Sequence, residues 1–573
     1  IYTGEDTLSL HDALPIYRLG FETLSQTYNV KVPTTAGYMI EKLVITDDLD
    51  DGFTTSLEQI KLTTANGDDV KALFDITIGE GNVVTATIKE SAKEDRRVVD
   101  TTIDLSIQGT FPQGYGRTVT NTAKVTDAVS DYQTGTVTTY VPSKPESTKS
   151  VSVDGGKSYG ELGQLAVRSN EYIWKIDHKL ANHSEYSEIV LNDELEEIQA
   201  VDASKVKVYN YDGTDITNGG KVAIKETNGK NVVTWTASAE TIKSINDKFG
   251  VKSDEEPRLT MTIATNIAAA TNADEARFYN KDTDRVEIPN VGSMKLTAKN
   301  EGSIAVRSNT PKVVTPTPGD SSVKKFVAVD GDNPQWSDKL ELSNFDSLYQ
   351  YRTEFKLASN FNYDKGDLVL SDTFENLQSY KEVKITDASG ADITSKFDIT
   401  ATPKTDVLSQ TVITAIPKNA NDFDDKGDTI NMVITGVSLT GATGLQQAQY
   451  ISTANDAGGF HEGVTIPNIS GLKQTSAIPN RSRVQESNKT YVNFNLAADL
   501  SKKVENEEVK VVNPAEATEA TSLTDLAASA QDFLANPGKA HKESLKALSE
   551  ALTSESTSKQ SLLNLLINAV KGK

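Results

Sequence analysis

The chain has 573 residues, a formal net charge of −23 and no cysteine, which allows about three or four domains and excludes disulfides, thiolate catalysis and most structural zinc sites. The acidic charge is spread in short clusters such as "DDLDD" and "NDELEE", a surface that repels nucleic-acid backbones and anionic lipids. Hydrophobic residues make up 37% and charged ones 24%, and no apolar run approaches the roughly 18 residues of a membrane helix, so neither nucleic acid nor membrane insertion is expected of this portion.

In chain order, the opening "IYTGEDTLSLHDALPIY" matches nothing later. Its "DTLSLHDALPI" core looks like translated sequencing-adaptor read-through, and residues 1–16 are set aside as a non-native segment. A β unit then recurs three times. Each copy has an apolar run ending in an acid: "LVITDDL" with Asp47, "IVLNDEL" with Asp193 and "LVLSDTF" with Asp372. After each acid come two strands around a tight turn, where Asn-Gly, Asp-Gly or Ser-Gly supplies the positive φ of a hairpin. Alternating strands rich in Val, Ile and Thr follow, "NVVTATI", "NVVTWTA" and "QTVITAI". This is the punctuation of antiparallel β-sandwiches. Proline-bearing joints, "YVPSKPEST" and "PKVVTPTPGDSS", separate the copies and favour extended linkers.

The copies occupy 17–142, 143–315 and 316–500. A polar linker at 501–520 leads to residues 521–573, where apolar positions at i, i+3, i+4 and i+7 predict two or three short helices. The histidines His11, His178, His183, His461 and His541 show no HExxH pattern and are taken as structural or surface residues. No metal and no cofactor are expected, and "DGDNPQWSD" is taken as a polar turn.

Each complete copy also opens with a lysine on an alternating strand, Lys149 in "TKSVSVDGG" and Lys325 in "VKKFVAVDGD". Each closes with an asparagine after Ile-Pro, Asn290 in "VEIPNVGSMKL" and Asn468 in "VTIPNISGLKQ". Lysine precedes acid by 44 and 47 residues. Lysine, acid and asparagine on three strands of one sandwich are the set an intramolecular isopeptide bond requires. In an apolar core, desolvation lowers the amine's pKa and raises the acid's. Neutral amine then attacks the carboxamide carbon while the protonated acid polarises the carbonyl and moves protons. Taken singly, a strand-start lysine is usually a solvated edge residue, "VDG" a turn and the asparagine a backbone cap. Burial decides between the two readings.

The ordered motifs "K.V.VDG", "YIWKI" and "YQYRT", the acid motif, and "IPN" followed by Ser308-Asn309 or Ser487-Asn488 resemble the isopeptide-forming, Ig-like domains of Gram-positive surface adhesins, especially the C-terminal stalk domains of the antigen I/II type. The resemblance covers roughly residues 17–500. It implies an all-β fold of tandem Ig-like sandwiches with a short helical C-terminal tail, and bonds Lys149–Asn290 and Lys325–Asn468 with Asp193 and Asp372 as catalysts. Lys324 is a weaker alternative to Lys325, and Asp177 and Glu354 are the runner-up acids. The first copy has Asp47 and Asn121, but nothing before Tyr17 supplies a lysine strand. No bond is expected there, and an exposed sheet edge or a misplaced N-terminal segment is.

The implied function is a cell-surface adhesin or adhesin stalk, extracellular and attached to the cell wall, although neither a signal peptide nor a sorting motif is visible. Its partners would be a host glycoprotein, a matrix ligand or other surface proteins. Alternatives are a pilus structural subunit and a spacer array for a surface enzyme. No enzyme activity beyond single-turnover bond formation is expected, since no Ser/His/Asp set, phosphate loop or metal cluster stands out.

Overall fold

Alternating apolar residues choose the inner face of each sheet. In Tyr172–Lys179, Tyr172, Trp174, Ile176 and His178 are buried and the residues between them are half-exposed, the period of two that a strand with one face in the core must show. The computed structural model describes residues 16–18, 24–34, 42–127, 131–299, 302–375, 377–403, 410–439, 441–452, 463–495, 523–535, 542–553 and 558–570. The adaptor reading of residues 1–15 and the linker reading of 501–520 lie outside them. The chain divides into two compact units, Ile1–Ala269 with Glu287–Thr315, and Ala270–Val286 with Pro316–Lys573.

The first unit holds two sandwiches. In the second of these, one sheet runs in the order Glu146–Ser152, Tyr172–Lys179, Arg258–Thr265, Val206–Tyr209. The other runs Gly220–Thr227, Lys230–Ala237, Tyr186–Glu196, Val291–Ala298, Gly302–Arg307. Trp174, Trp235, Leu191, Met261 and Leu296 fill the space between them. A helix at Ala239–Phe249, capped by Ser238 accepting from the Thr241 amide, packs Ile245 and Phe249 on this core. The short-strand pattern did not anticipate it, although Ile242, Ile245 and Phe249 carry helical spacing.

The preceding sandwich repeats the two facing sheets with one strand fewer in the smaller one among the described residues. Its smaller sheet is Ser25–Pro33, Thr102–Thr110, Ile60–Thr64, and the residues paired across it, Val30 with Leu105 and Leu105 with Leu62, match Ile176 with Met261 and Met261 with Val208. Among the described residues, no strand pairs the other edge of Ser25–Pro33, the place that Glu146–Ser152 takes on Tyr172–Lys179. Ile16–Arg18 lies elsewhere, parallel to Thr138–Tyr140, as Leu162–Gln164 lies parallel to Lys312–Val314. Asn182 ties the joint between these two sandwiches: it accepts from the Ser143 amide at 2.8 Å and donates to the carbonyls of Gly116 and Asp254.

The second unit holds the third sandwich. The sheet Ser322–Val329, Tyr349–Lys356, Thr429–Val437, Glu382–Asp387 packs on a larger one built around Leu368–Glu375 and Gly463–Gln474, with Tyr351, Phe355, Leu370, Met432 and Ile466 between them. In the tail, Leu523–Ala535, Lys542–Thr553 and Lys559–Val570 are three helices joined by Leu526, Leu534, Leu548, Leu562 and Leu566, against which Ala448 packs. The molecule is thus an all-β series of Ig-like sandwiches with a helical tail.

Candidate functional site

The same period of two that builds the cores carries an acid into each. Along Tyr186–Glu196, the inward set is Ile189, Leu191, Asp193 and Leu195. Along Leu368–Glu375 it is Leu368, Leu370, Asp372 and Phe374, and along Val44–Asp48 it is Ile45 and Asp47. Strand register then brings in the asparagine. Asp193 stands opposite Gly292, Asp372 opposite Ser470 and Asp47 opposite Ala123. Each of those partners lies two residues beyond an asparagine: Asn290, Asn468 and Asn121. Residues i and i+2 of a strand share a face, so acid and asparagine are diagonal neighbours inside all three sandwiches.

The lysines arrive on the edge strands. Lys149 pairs across the sheet with Ile176, and Lys325 with Thr353. Both point inward and their side chains have no solvent exposure. Lys149 Nζ donates to Asp193 Oδ2 at 2.5 Å. Lys325 Nζ donates to Asp372 Oδ2, to Ser470 Oγ at 2.9 Å and to Thr353 Oγ1 at 3.3 Å. An aromatic ring seats each ammonium, Trp174 at 5.3 Å and Tyr351 at 4.6 Å from ring centre to Nζ, which favours a cation held away from water.

A side-chain clamp fixes the height of each lysine. Asn309 accepts from the Lys149 amide at 2.6 Å and donates to the Lys149 carbonyl at 3.0 Å. Asn488 does the same for Lys325 at 2.9 and 3.0 Å. Clamp and edge-strand pairing together set which residue faces the acid, which excludes Lys324: it is exposed while its neighbour is buried.

Burial acts on three of these ionisable groups. It lowers Lys149 to about 8 and raises Asp193 above the usual carboxylate range, with the attraction between the two opposing part of the effect. Lys325 is likewise lowered by burial. Both partners of the Lys149–Asp193 pair are therefore displaced toward their neutral forms, the state in which an amine is a nucleophile and a carboxylic acid a proton donor. The Asn290 carboxamide lies against Asp193, yet neither its oxygen nor its nitrogen makes an aligned hydrogen bond with the described residues. Asn468 donates to the Thr373 carbonyl at 3.1 Å, and its oxygen has no partner among the described residues. An orphaned buried polar atom costs about 1–3 kcal/mol, and both carboxamide atoms of Asn290 and the oxygen of Asn468 stand in that position among the described residues.

The runner-up acids are placed elsewhere. Asp177 and Glu354 fall on the outward positions of their strands. Asp177 meets Thr260 at 2.7 Å and Lys175 at 2.9 Å, and Glu354 meets Arg352 at 2.8 Å. Neither shares a face with the lysine. The aromatic seat, the clamp and the Thr353–Ser470 pair were not foreseen as working parts, although Ser308-Asn309 and Ser487-Asn488 stood out as motifs. The second sandwich has Ile176 and Gly292 where the third has Thr353 and Ser470; a Cβ on Gly292 would stand 2.3 Å from Ile176 Cδ1, so the larger Ile requires the Gly opposite. Among the described residues, no group of His, Cys, Asp or Glu could hold a metal ion.

In the first sandwich, Asp47 and Asn121 are together and buried. Asp47 lies against the Asn121 carboxamide, yet neither Asp47 oxygen nor the Asn121 oxygen makes an aligned hydrogen bond among the described residues. Burial raises Asp47 to about 6 from 3.8. Between those values the folded sandwich holds a proton that the unfolded chain has released, so stability falls as pH rises across the window, by about 3 kcal/mol once complete. We expect hydrogen exchange within residues 42–127 to be markedly faster at pH 7.5 than opening equilibria at pH 4.5 allow, and Asp47→Asn to remove that pH dependence. Equal opening free energies in the parent at both pH values would contradict the assignment.

No family model matches the chain, and no curated protein matches it. Solved structures to which it is similar include the C-terminal domain of the Streptococcus pyogenes antigen I/II-family protein AspA, at 12% identity over 61% of this chain and 99% of that one, with a TM-score of 0.25. BcpA, the major pilin subunit of Bacillus cereus, matches at 12% identity over 82% and 99%, with a TM-score of 0.28. The full-length major pilin SpaD from Corynebacterium diphtheriae matches at 10% identity over 83% and 98%, with a TM-score of 0.26. These three are an antigen I/II-family C-terminal domain and two major pilins.

Proposed function

We propose that this chain is the stalk of a Gram-positive surface adhesin, extracellular and wall-attached, whose second and third sandwiches each close an isopeptide bond, Lys149–Asn290 and Lys325–Asn468. The observation that carries the reading is the repetition, in two separate cores, of a fully buried lysine on a buried acid with a carboxamide diagonal to that acid. Buried ion pairs of this kind add little to stability alone, and two of them beside a carboxamide make sense as machinery.

The step balances within the chain. Nζ of the neutral lysine attacks Cγ of the asparagine, the Nζ–Cγ bond forms, and the Cγ–Nδ2 bond breaks. The aspartic acid takes a proton from the attacking amine and supplies one to the leaving nitrogen, which departs as ammonia. Folding supplies the alignment, which stands in for an external enzyme. The bond would join a first strand to a late strand, so tension along the stalk cannot peel the sandwich apart. A ligand-binding region and its host glycoprotein or matrix partner belong to this reading as well.

The test is an intact mass of the purified chain. Two ammonia losses are expected, one abolished by Lys149→Ala and the other by Lys325→Ala, with the branched peptides recovered after digestion. An unshifted mass in folded protein would remove the covalent reading and leave a series of ordinary sandwiches.

A further inference from the structure

The second and third sandwiches match in lysine, acid and asparagine but not in what surrounds the amine. In the third, Thr353 stands opposite Lys325 and Ser470 opposite Asp372; in the second, Ile176 stands opposite Lys149 and Gly292 opposite Asp193. A lysine ammonium has three N–H donors, and in the third sandwich each has an acceptor: Asp372 Oδ2, Ser470 Oγ at 2.9 Å and Thr353 Oγ1 at 3.3 Å. Ser470 Oγ also donates to Asp372 Oδ2 at 2.9 Å and lies 2.7 Å from Thr353 Oγ1. With the Ser470 proton directed to the acid, the Thr353 proton goes to Ser470, and both hydroxyl oxygens keep a lone pair for the ammonium. Among the described residues, Lys149 Nζ has a single hydrogen-bond acceptor, Asp193 Oδ2. The asparagines differ in the same sense: the Asn290 carboxamide lies against Asp193, whereas Asn468 donates to the Thr373 carbonyl at 3.1 Å.

We propose that Thr353 and Ser470 restrain the third crosslink: they hold Lys325 as a hydrogen-bonded ammonium, so that Lys325–Asn468 forms more slowly than Lys149–Asn290. Hydrogen bonds made to a charged form favour that form, and an amine attacks through the lone pair that an ammonium lacks. Lys325 must therefore give a proton to Asp372 against its two hydroxyl contacts, and the Asn468 carboxamide must leave the Thr373 carbonyl, before Nζ reaches Cγ. Lys149 gives its proton to Asp193 with no such contacts to break, because Ile176 and Gly292 offer its amine no side-chain acceptor. The bonds exchanged are the same at both sites: Nζ–Cγ forms, Cγ–Nδ2 breaks and ammonia leaves, while the two hydroxyls end with the protons they began with. Hydrogen bonds to a charged group are strong enough to separate the two rates by about tenfold to a hundredfold. The consequence is a staged closure, in which the second sandwich is sealed soon after folding while the third still opens and recloses as a non-covalent domain.

This inference rests on the crosslinking reading above, and the experiment separates the two. The full chain is made in a short cell-free pulse, aliquots are quenched in acid, and the two branched peptides are quantified against time after chain completion. In the parent, the Lys325–Asn468 peptide should lag the Lys149–Asn290 peptide by about tenfold or more. Thr353→Ile with Ser470→Gly should speed the third bond by a similar factor, and Ser470→Ala, which deletes one oxygen, by a smaller one. Ile176→Thr with Gly292→Ser should slow the second bond; the two are exchanged together because a Cβ on Gly292 would stand 2.3 Å from Ile176 Cδ1. A gain in rate cannot come from a damaged fold, and comparing the third sandwich with its own variants removes the order of synthesis. Equal rates in the parent, a faster third bond there, or a third bond no faster in Ser470→Ala overturns the inference and leaves the function intact. Absence of both bonds in every folded chain overturns both.

Discussion

Asn290→Ala should lower the melting temperature of the second sandwich by roughly 10 to 20 °C and restore one ammonia's worth of mass. The proposed bond to Lys149 would close a loop of more than 100 residues, for which the chain-entropy account gives about 5 kcal/mol. Each kcal/mol moves the midpoint by about 2–4 °C in domains of this size. The substitution is a clean probe, because neither carboxamide atom of Asn290 makes an aligned hydrogen bond with the described residues. The Lys149–Asp193 pair stays in place. Calorimetry beside mass spectrometry is the check: an unchanged midpoint with the bond demonstrably lost would show that the unfolded chain was not the state being restrained.

Asp372→Ala should be more damaging than Asn468→Ala, although both prevent the same bond. It leaves Lys325 buried with two hydroxyl partners among the described residues, Ser470 and Thr353, and breaking a buried pair from one side costs about 3–5 kcal/mol. Added to a lost crosslink of about 5 kcal/mol, this approaches the whole stability of an ordinary domain; residues in contact do not add strictly, so the sum is an upper bound. The double variant Lys325→Met with Asp372→Leu should recover several kcal/mol without recovering the bond, since well-packed apolar side chains replace buried ion pairs at little cost. Urea unfolding of the single, the double and Asn468→Ala orders the three. A single variant as stable as Asn468→Ala would mean that Lys325 escapes to water.

If the crosslinks form, the chain obtains the mechanical closure of a disulfide without a thiol, which accords with its lack of cysteine. The three sandwiches then differ in kind. Two hold a buried lysine on a buried acid, and one holds a buried acid and carboxamide with no aligned hydrogen-bond partner for the acid among the described residues.

Much of this was legible in the residues. Strand alternation, hairpin glycines and the recurrence of an acid after an apolar run follow from local chemistry, as do the amphipathic tail helices. The outward placement of Asp177 and Glu354 was also within reach. Tyr172, Trp174 and Ile176 define one face and Asp177 falls on the other; Thr353, a polar residue on an inner face, blurred the same pattern around Glu354.

What only the tertiary structure decided is which residues meet. The register that sets Asp193 beside Asn290 depends on pairing between strands far apart in sequence, and no local preference encodes it. The clamp by Asn309 and Asn488, the aromatic seats and the exchange of Ile176–Gly292 for Thr353–Ser470 depend on side chains converging from three strands. Desolvation, which turns a lysine and an aspartate from a surface ion pair into a nucleophile and an acid, belongs to the assembled core, because only packing removes the water.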